Sequence, residues 1–442
     1  MSLFNFWKKT IPDSPAHEAW IAAKRLYNEG NYEQCLYALS SGFKKDINYS
    51  PLYRLAADTA ARLGAPDAQE LFAAVSNNPN DADAFDQLGN MYFGNNDFEL
   101  TIAFLQKAVE LNPGNNGAWY DLALCYARLS HINAAIDVLQ KAPSPDFWNK
   151  YLLNKLKIFN RDTEGVRESI KALEEVLAVD SEDGEAGVKL LKIEELQEMI
   201  LRFSAMPETH PHIRHWQFIQ YGGVVLDCYE GQDDFTGGRY ALASGSYESV
   251  RALLDKLKQF TGEIPVDVQG VAALPDRDSE IIGRALAKIL DVGFGTYDCE
   301  NAAGNQLIVA ARTSLFDDYY ELNTISNGQL LFAACHNWLE GAYVCPDIIG
   351  FMAQSYVFPW EGGSVKVIDM ENDLCELLER DDRPVEAIAE TICSSKAVQE
   401  DANEWLAFYA GQKAYIKGIG HLAGTNRYNF MVESPVPGSS FL

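Results

Sequence analysis

Absences bound this 442-residue chain first. None of its eight cysteines (35, 125, 228, 299, 335, 345, 375 and 393) stands in a C-x-x-C pair. Scattered thiols of this kind point to reduced, buried cysteine in a cytoplasmic protein. No run approaches the ~18 apolar residues that would span a bilayer. The opening Met1-Ser2-Leu3-Phe4-Asn5-Phe6-Trp7-Lys8-Lys9-Thr10 puts its charge after its apolar residues and has no h-region, which excludes a signal peptide. Basic residues are few: 36 Lys and Arg against 63 Asp and Glu, a formal net charge of -27. Such a field repels a nucleic-acid backbone, and no basic stripe offsets it. It favours basic protein partners instead. There is no Walker loop, no G-x-G-x-x-G and no G-x-S-x-G, so no catalytic residue, cofactor or metal is assigned, and the chain is read as a non-enzyme.

What is present is a period. Between Ala82 and Asn149 the chain nearly repeats itself at a lag of 34: Leu88 with Leu122, Tyr92 with Tyr126, Leu105 with Leu139, Ala108 with Ala142, and Phe85 with Trp119. The lag extends to Leu71 and Leu173, and to Ala74 and Val176. Pro79 and Pro113 close successive units at one phase, because proline cannot continue a helix and restricts the residue before it. A fixed period in this range is the mark of a helical repeat array.

Phe85-x2-Leu88-Gly89-x2-Tyr92, followed by Leu105, Ala108 and Pro113, resembles the tetratricopeptide repeat. The resemblance implies two antiparallel helices per unit, with small residues at their crossing: Gly89 or Ala123 in the first helix, Ala108 or Ala142 in the second. One such unit cannot bury its apolar face alone, so units stack. Five are expected, beginning at Ala16, with the first turn at Gly30-Asn31-Tyr32, the second at Gly64-Ala65-Pro66, and the fifth running over about 150 to 183. A helix from about Glu185 to Phe203 would cap the stack. Residues 1–15, with Leu3, Phe4, Phe6, Trp7, Lys8 and Lys9, read as an N-terminal arm; contact with a membrane or a partner is the rival reading.

The family's groove positions, carried onto this chain, are Trp20, Lys24 and Tyr27; Asp86, Asn90 and Phe93; and Tyr120, Leu124 and Arg128, with Lys155 and Phe159 at the lower end. A helix-lined surface of aromatic and polar residues suits a peptide or a partner's helix. Some members clamp a C-terminal carboxylate with Lys and Asn, but Asp86 stands where that Lys is wanted and only Asn90 fits. The competing occupants are the chain's own C-terminal domain and its N-terminal arm.

Past a Pro-containing linker at 204–215 the period changes. Trp216–Tyr221, Gly223–Leu226, Arg239–Ala243, Val266–Leu274, Phe294–Cys299, Leu307–Ala311 and Leu330–Ala334 read as strands. Helices are expected over Tyr247–Phe260, Ser279–Leu290, Glu386–Ile392 and Ala397–Tyr415. Asp347–Phe358 fits either element, and Val365–Ile368 fits an edge strand. Strands alternating with helices imply a largely parallel or mixed α/β sheet over 216–433, before a loose tail at 434–442. The expected whole is therefore multidomain: an all-α repeat array, then an α/β domain.

Three further clusters bear on chemistry. The loop Asp276, Arg277, Asp278 and Ser279 joins a strand to a helix, where an open sheet binds ligands and a helix N-terminus offers N–H groups to an anion; helix capping by Ser279 or Asp278 is the plainer role. This unit resembles the first part of a phosphoribosyltransferase domain, but Leu307–Arg312 runs into Thr313-Ser314 without that family's acidic pair, which implies a silent relative. His210, His212 and His215 have metal-ligand chemistry in a linker setting. Cys335 and His336 would point to opposite faces of a strand. The function that follows is a scaffold or adaptor binding a protein partner, with a ligand-sensing or enzymatic α/β domain as the alternative.

Overall fold

The computed structural model describes residues 14–129, 131–179, 184–206, 213–228, 242–264, 266–301, 304–325, 328–337, 342–353, 355–363, 365–369, 374–396, 404–419 and 426–427. Nearly all of the N-terminal arm, His210, His212 and the tail lie outside them. The chain divides into two compact units, Met1–Asn160 and Arg161–Leu442.

The first unit is all helix. Its elements are α1 (His17–Asn28), α2 (Tyr32–Lys45), α3 (Pro51–Leu63), α4 (Pro66–Asn77), α5 (Ala82–Gly94), α6 (Phe98–Leu111), α7 (Asn116–Arg128), α8 (Ile132–Lys141) and α9 (Phe147–Phe159). Each helix start has a local cause. Pro51 and Pro66 occupy the first turns of α3 and α4, where a missing N–H costs nothing. Asp81, Asp97, Asn115 and Asp146 each accept a hydrogen bond from the backbone N–H three residues on, satisfying an otherwise orphaned donor. Asn78 and Asn112 stop the preceding helices and accept the N–H of Asn80 and Gly114. The helix pairs close on small residues: a Cβ at Gly89 would lie 2.6 Å from Leu105. Phe43, Tyr53, Phe72, Phe85 and Phe104 fill the space between units, all 2 % exposed or less.

The period of 34 fails beyond Leu139. The caps Asp81 and Asn115 are 34 apart, but Asn115 and Asp146 are 31 apart. The cause is α8, which ends at Lys141 with Ala142 extended because Pro143 follows. Ala142 is thus a cap residue, not a crossing residue, and Val176, its supposed equivalent, is 65 % exposed.

The second unit opens with α10 (Val166–Val179) and α11 (Ala186–Ala205), then α12 (Ile213–Tyr221). The stretch 216–221 is therefore helix, not strand. Its side chains are buried all round, so no amphipathic period marks it. A six-stranded sheet follows, with every pairing parallel: β1 (Val224–Cys228), β3 (Gly270–Ala273), β4 (Gly293–Thr296), β5 (Gln306–Arg312), β6 (Leu330–Asn337) and β7 (Ile348–Ala353). Its order is β1-β7-β6-β5-β3-β4. Two short pairs stand apart, β2 (Leu242–Ser244) parallel to β8 (Ser355–Val357), and β9 (Val365–Asp369) antiparallel to β10 (Leu374–Leu377). Helices α13 (Tyr247–Glu263), α14 (Arg277–Leu290), α15 (Val385–Ser394) and α16 (Glu404–Gly411) complete the unit. The expected strand over 266–274 shortens to β3, and the expected helix over 397–415 keeps only 404–411 as α-helix among the described residues.

Strands β5 and β6 alternate cleanly. Leu307, Val309, Leu330 and Phe332 face the core under α13 and α14. Ile308, Ala310, Leu331 and Ala333 face Phe316 and Leu322, in short 3-10 turns. Every residue of β6 is buried, as both-face coverage of a parallel strand demands. Helix α11 is pinned to this unit by buried charge. Glu198 pairs with Arg202 and, at 2.7 Å, with Lys417, and Arg202 donates to the carbonyl of Tyr415 at 3.0 Å. Asp347 takes Arg427 at 2.7 Å, both essentially sealed from solvent.

Candidate protein-interaction site

Residues on the first helix of each repeat share one face. On α1, Trp20, Lys24 and Tyr27 follow helical spacing. The Lys24 ammonium lies 4.8 Å from the Trp20 ring centre, and His17 stacks on that ring at 5.6 Å. Tyr27 packs edge-on to Tyr32 and accepts a long 3.5 Å contact from Arg62 of α3. On α5, Phe93 packs edge-on to Phe98 at 5.6 Å, Asn90 is exposed and Asp86 is half-buried. On α7, Tyr120 and Leu124 rest against the cluster of Ala123, Ala135, Ile136 and Leu139, and Arg128 is half-buried. With the spacing of 31, the α9 counterparts of Tyr120, Leu124 and Arg128 are Tyr151, Lys155 and Phe159. The Lys155 ammonium lies 5.8 Å from the Tyr151 ring centre.

Three polar residues that sequence reasoning passed over join these helices. Asn115 donates to Asp86 Oδ2 at 3.0 Å while capping α7. Asn149 of α9 donates to the carbonyl of Asn116 at 3.1 Å. Asp121 is held among them half-buried, and burial, aided by the charge of Asp86, pushes its pKa up to about 6. Asn115 caps α7, whereas Asn149 lies three residues past Asp146, the matching cap of α9, so the lag of 34 between them carried no signal for the pair; Asp121 replaces Gln87 of the preceding unit and had none either. Cys125, one turn on, is pushed up to about 12 by burial and remains a thiol.

The loop of the second unit lies at the carboxyl ends of β3 and β5, between which the strand order reverses. The order β4-β3-β5-β6-β7 is the 2-1-3-4-5 arrangement whose switch point receives ligands in open α/β sheets. Here the loop's side chains are engaged within the chain. Asp276 caps α14 through the N–H groups of Asp278 and Ser279, so the capping residue is Asp276 and neither Ser279 nor Asp278, the two expected for it. The Ser279 hydroxyl accepts the N–H of Ala311 at 2.8 Å. Asp278 accepts the indole N–H of Trp360 at 2.8 Å, and Arg277 donates to the carbonyl of Asp381. Arg312, at the end of β5, is held by both oxygens of Glu361 at 2.6 and 2.7 Å. Elsewhere, His215 lies buried on α12 with its ring centre 5.0 Å from that of Trp405. Cys335 and His336 are both buried on β6, and burial holds the imidazole down to about 3, hence neutral.

A family model matches residues 65–142, that of the anaphase-promoting complex (cyclosome) subunit 3. The match runs from α4 to the end of α8. Among solved structures, YrrB, titled a TPR protein with an unusual peptide-binding site, is 17 % identical with a TM-score of 0.23, over 39 % of this chain and 89 % of its own. TTC0263, a thermophilic TPR protein of Thermus thermophilus, is 17 % identical at a TM-score of 0.23, over 40 % and 98 %. PilW, a type IV pilus biogenesis factor, is 16 % identical at a TM-score of 0.23, over 44 % and 95 %. No curated protein matched the chain. The chain contains tetratricopeptide-type repeats followed by an α/β region. Among the described residues, no helix is long and apolar enough to cross a membrane.

Proposed function

We propose that the chain is a cytoplasmic scaffold or adaptor that holds a basic peptide or helix of a protein partner along the first-helix face of its repeats. Trp20, Lys24, Tyr27, Asp86, Asn90, Phe93, Tyr120, Leu124 and Arg128 form the contact. The observation that supports it most is that the opposite sides of these same helices form the closed core. The aromatic rings of the face are left partly uncovered, with Lys24 and Asn90 exposed between them. Partly exposed aromatics beside polar groups are what interface anchors consist of.

The test is capture of a partner by the intact chain and by the chain carrying Asn90→Ala with Tyr120→Ala. Loss of capture with an unchanged circular dichroism spectrum is expected. Capture that survives the double change overturns the reading. The alternative, a ligand-sensing α/β unit, draws on the switch-point position of Asp276, Arg277, Asp278 and Ser279; a rise in melting temperature with inorganic phosphate, absent in Arg277→Ala, would favour it.

A further inference from the structure

Acceptors without donors gather where α5, α7 and α9 meet. Asp86 Oδ2 is held by Asn115, but Asp86 Oδ1 is buried with no donor among the described residues. Asn149 is 1 % exposed. Its amide nitrogen is spent on the Asn116 carbonyl and on Asp146, and its Oδ1 also lacks a donor. Asn115 and Asn116 are consecutive, so both orphaned oxygens sit at the same end of α7. Asp121 follows on α7, half-buried and close enough to Asp86 for each charge to oppose the other.

We propose that this notch binds a cationic side chain of the partner, an Arg guanidinium or a Lys ammonium, between Asp86 and Asp121 with the Asn149 carbonyl as a further acceptor. The inference rests on the groove reading above and names the chemistry of its occupant. Two carboxylates and an amide oxygen are acceptors only, whereas a guanidinium carries five N–H donors and no acceptor. Burying like charges side by side is unfavourable, and an opposite charge within ~4–6 Å reverses that. Asp86 is half-buried, and the terminal torsion of a carboxylate is broad, so Oδ1 can turn toward an incoming donor. A protein of net charge -27 draws cationic segments toward it in any case; the notch supplies a defined place for one.

The experiment uses the intact chain with a fluorescein-labelled hexa-arginine peptide and its uncharged hexa-citrulline counterpart, read by anisotropy. Asp86→Asn and Asp121→Asn each should weaken hexa-arginine by about tenfold or more, the range for a charged hydrogen bond. Asp137→Asn, which removes one exposed acid from α8, should change it less than about twofold. Hexa-citrulline should bind no variant. Asp86→Glu, which keeps the charge, should restore binding and shows that loss in Asp86→Asn is not misfolding. Equal losses in Asp137→Asn and Asp86→Asn, or no loss in either notch variant, overturn the proposal. If hexa-arginine ignores the notch while partner capture still depends on Asn90 and Tyr120, the cation site alone falls. If capture ignores Asn90 and Tyr120 while hexa-arginine follows Asp86, the groove reading alone falls.

Discussion

Asp121 costs the fold something at neutral pH. Its folded pKa of about 6 lies above the unfolded value, so the folded chain binds more protons than the unfolded chain between about pH 4 and 6. Stability contributed by this group therefore falls as pH rises through that window. Asp121→Asn removes the penalty: it should stabilise the first unit by ~1 kcal/mol at pH 7.5, after discounting for partial exposure, and by nothing at pH 4. Melting curves of both forms at the two pH values check this. A group kept at a cost to stability is what a binding site looks like. Glycines give a second residue-level contrast. At Gly89 an added methyl meets Leu105 at 2.6 Å, whereas at Gly94 it meets nothing within 4 Å. Gly89→Ala should cost ~1–3 kcal/mol through overpacking, outweighing the gain in helix propensity. Gly94→Ala should keep that gain, ~0.5–1 kcal/mol. Urea unfolding of the two variants separates the cases. Gly89 was legible from sequence because a repeat names its crossing positions; the notch was not, because its atoms come from three helices and their unmet valences exist only in three dimensions.

Helices with their own caps could be read directly. Asx residues before α5, α6, α7 and α9, and prolines opening α3 and α4, mark boundaries that local chemistry decides. Asp146→Ala should accordingly cost ~1 kcal/mol of stability in chemical denaturation, although no lag of 34 points to that residue. The misreadings arose where tertiary burial removes the pattern. Within helix α12, residues 214–221 are buried on every side and rich in aromatics, so the stretch 216–221 looks like a core strand. Helices α10 and α11 carry a repeat-like period, yet Glu198, Arg202 and Lys417 join α11 to the second unit, a pairing across more than two hundred residues that no local period reveals. Strand β6 and the helices α13 and α14 were readable because both-face burial and a strong amphipathic stripe leave unmistakable patterns.

At the scale of the whole molecule, the second unit depends on partners distant in sequence. Asp347→Ala leaves Arg427 buried without its counter-charge and should cost ~3–5 kcal/mol, read as faster amide exchange across β5, β6 and β7. The same dependence sets a schedule for synthesis. Strand β1 takes its place against β7, its Val224 level with Ile348, 124 residues later. At ~5–20 residues per second, roughly 6–25 s of translation separate the two. Asp347 then waits for Arg427. The repeats can close on their neighbours as they emerge from the ribosome, but the sheet holds Asp347 without its counter-charge until residue 427 has been made. That interval is when a chaperone has most to protect, and a translational pause placed after the codons for β7 would lengthen the life of a sheet with all six strands made and an unneutralised carboxylate inside.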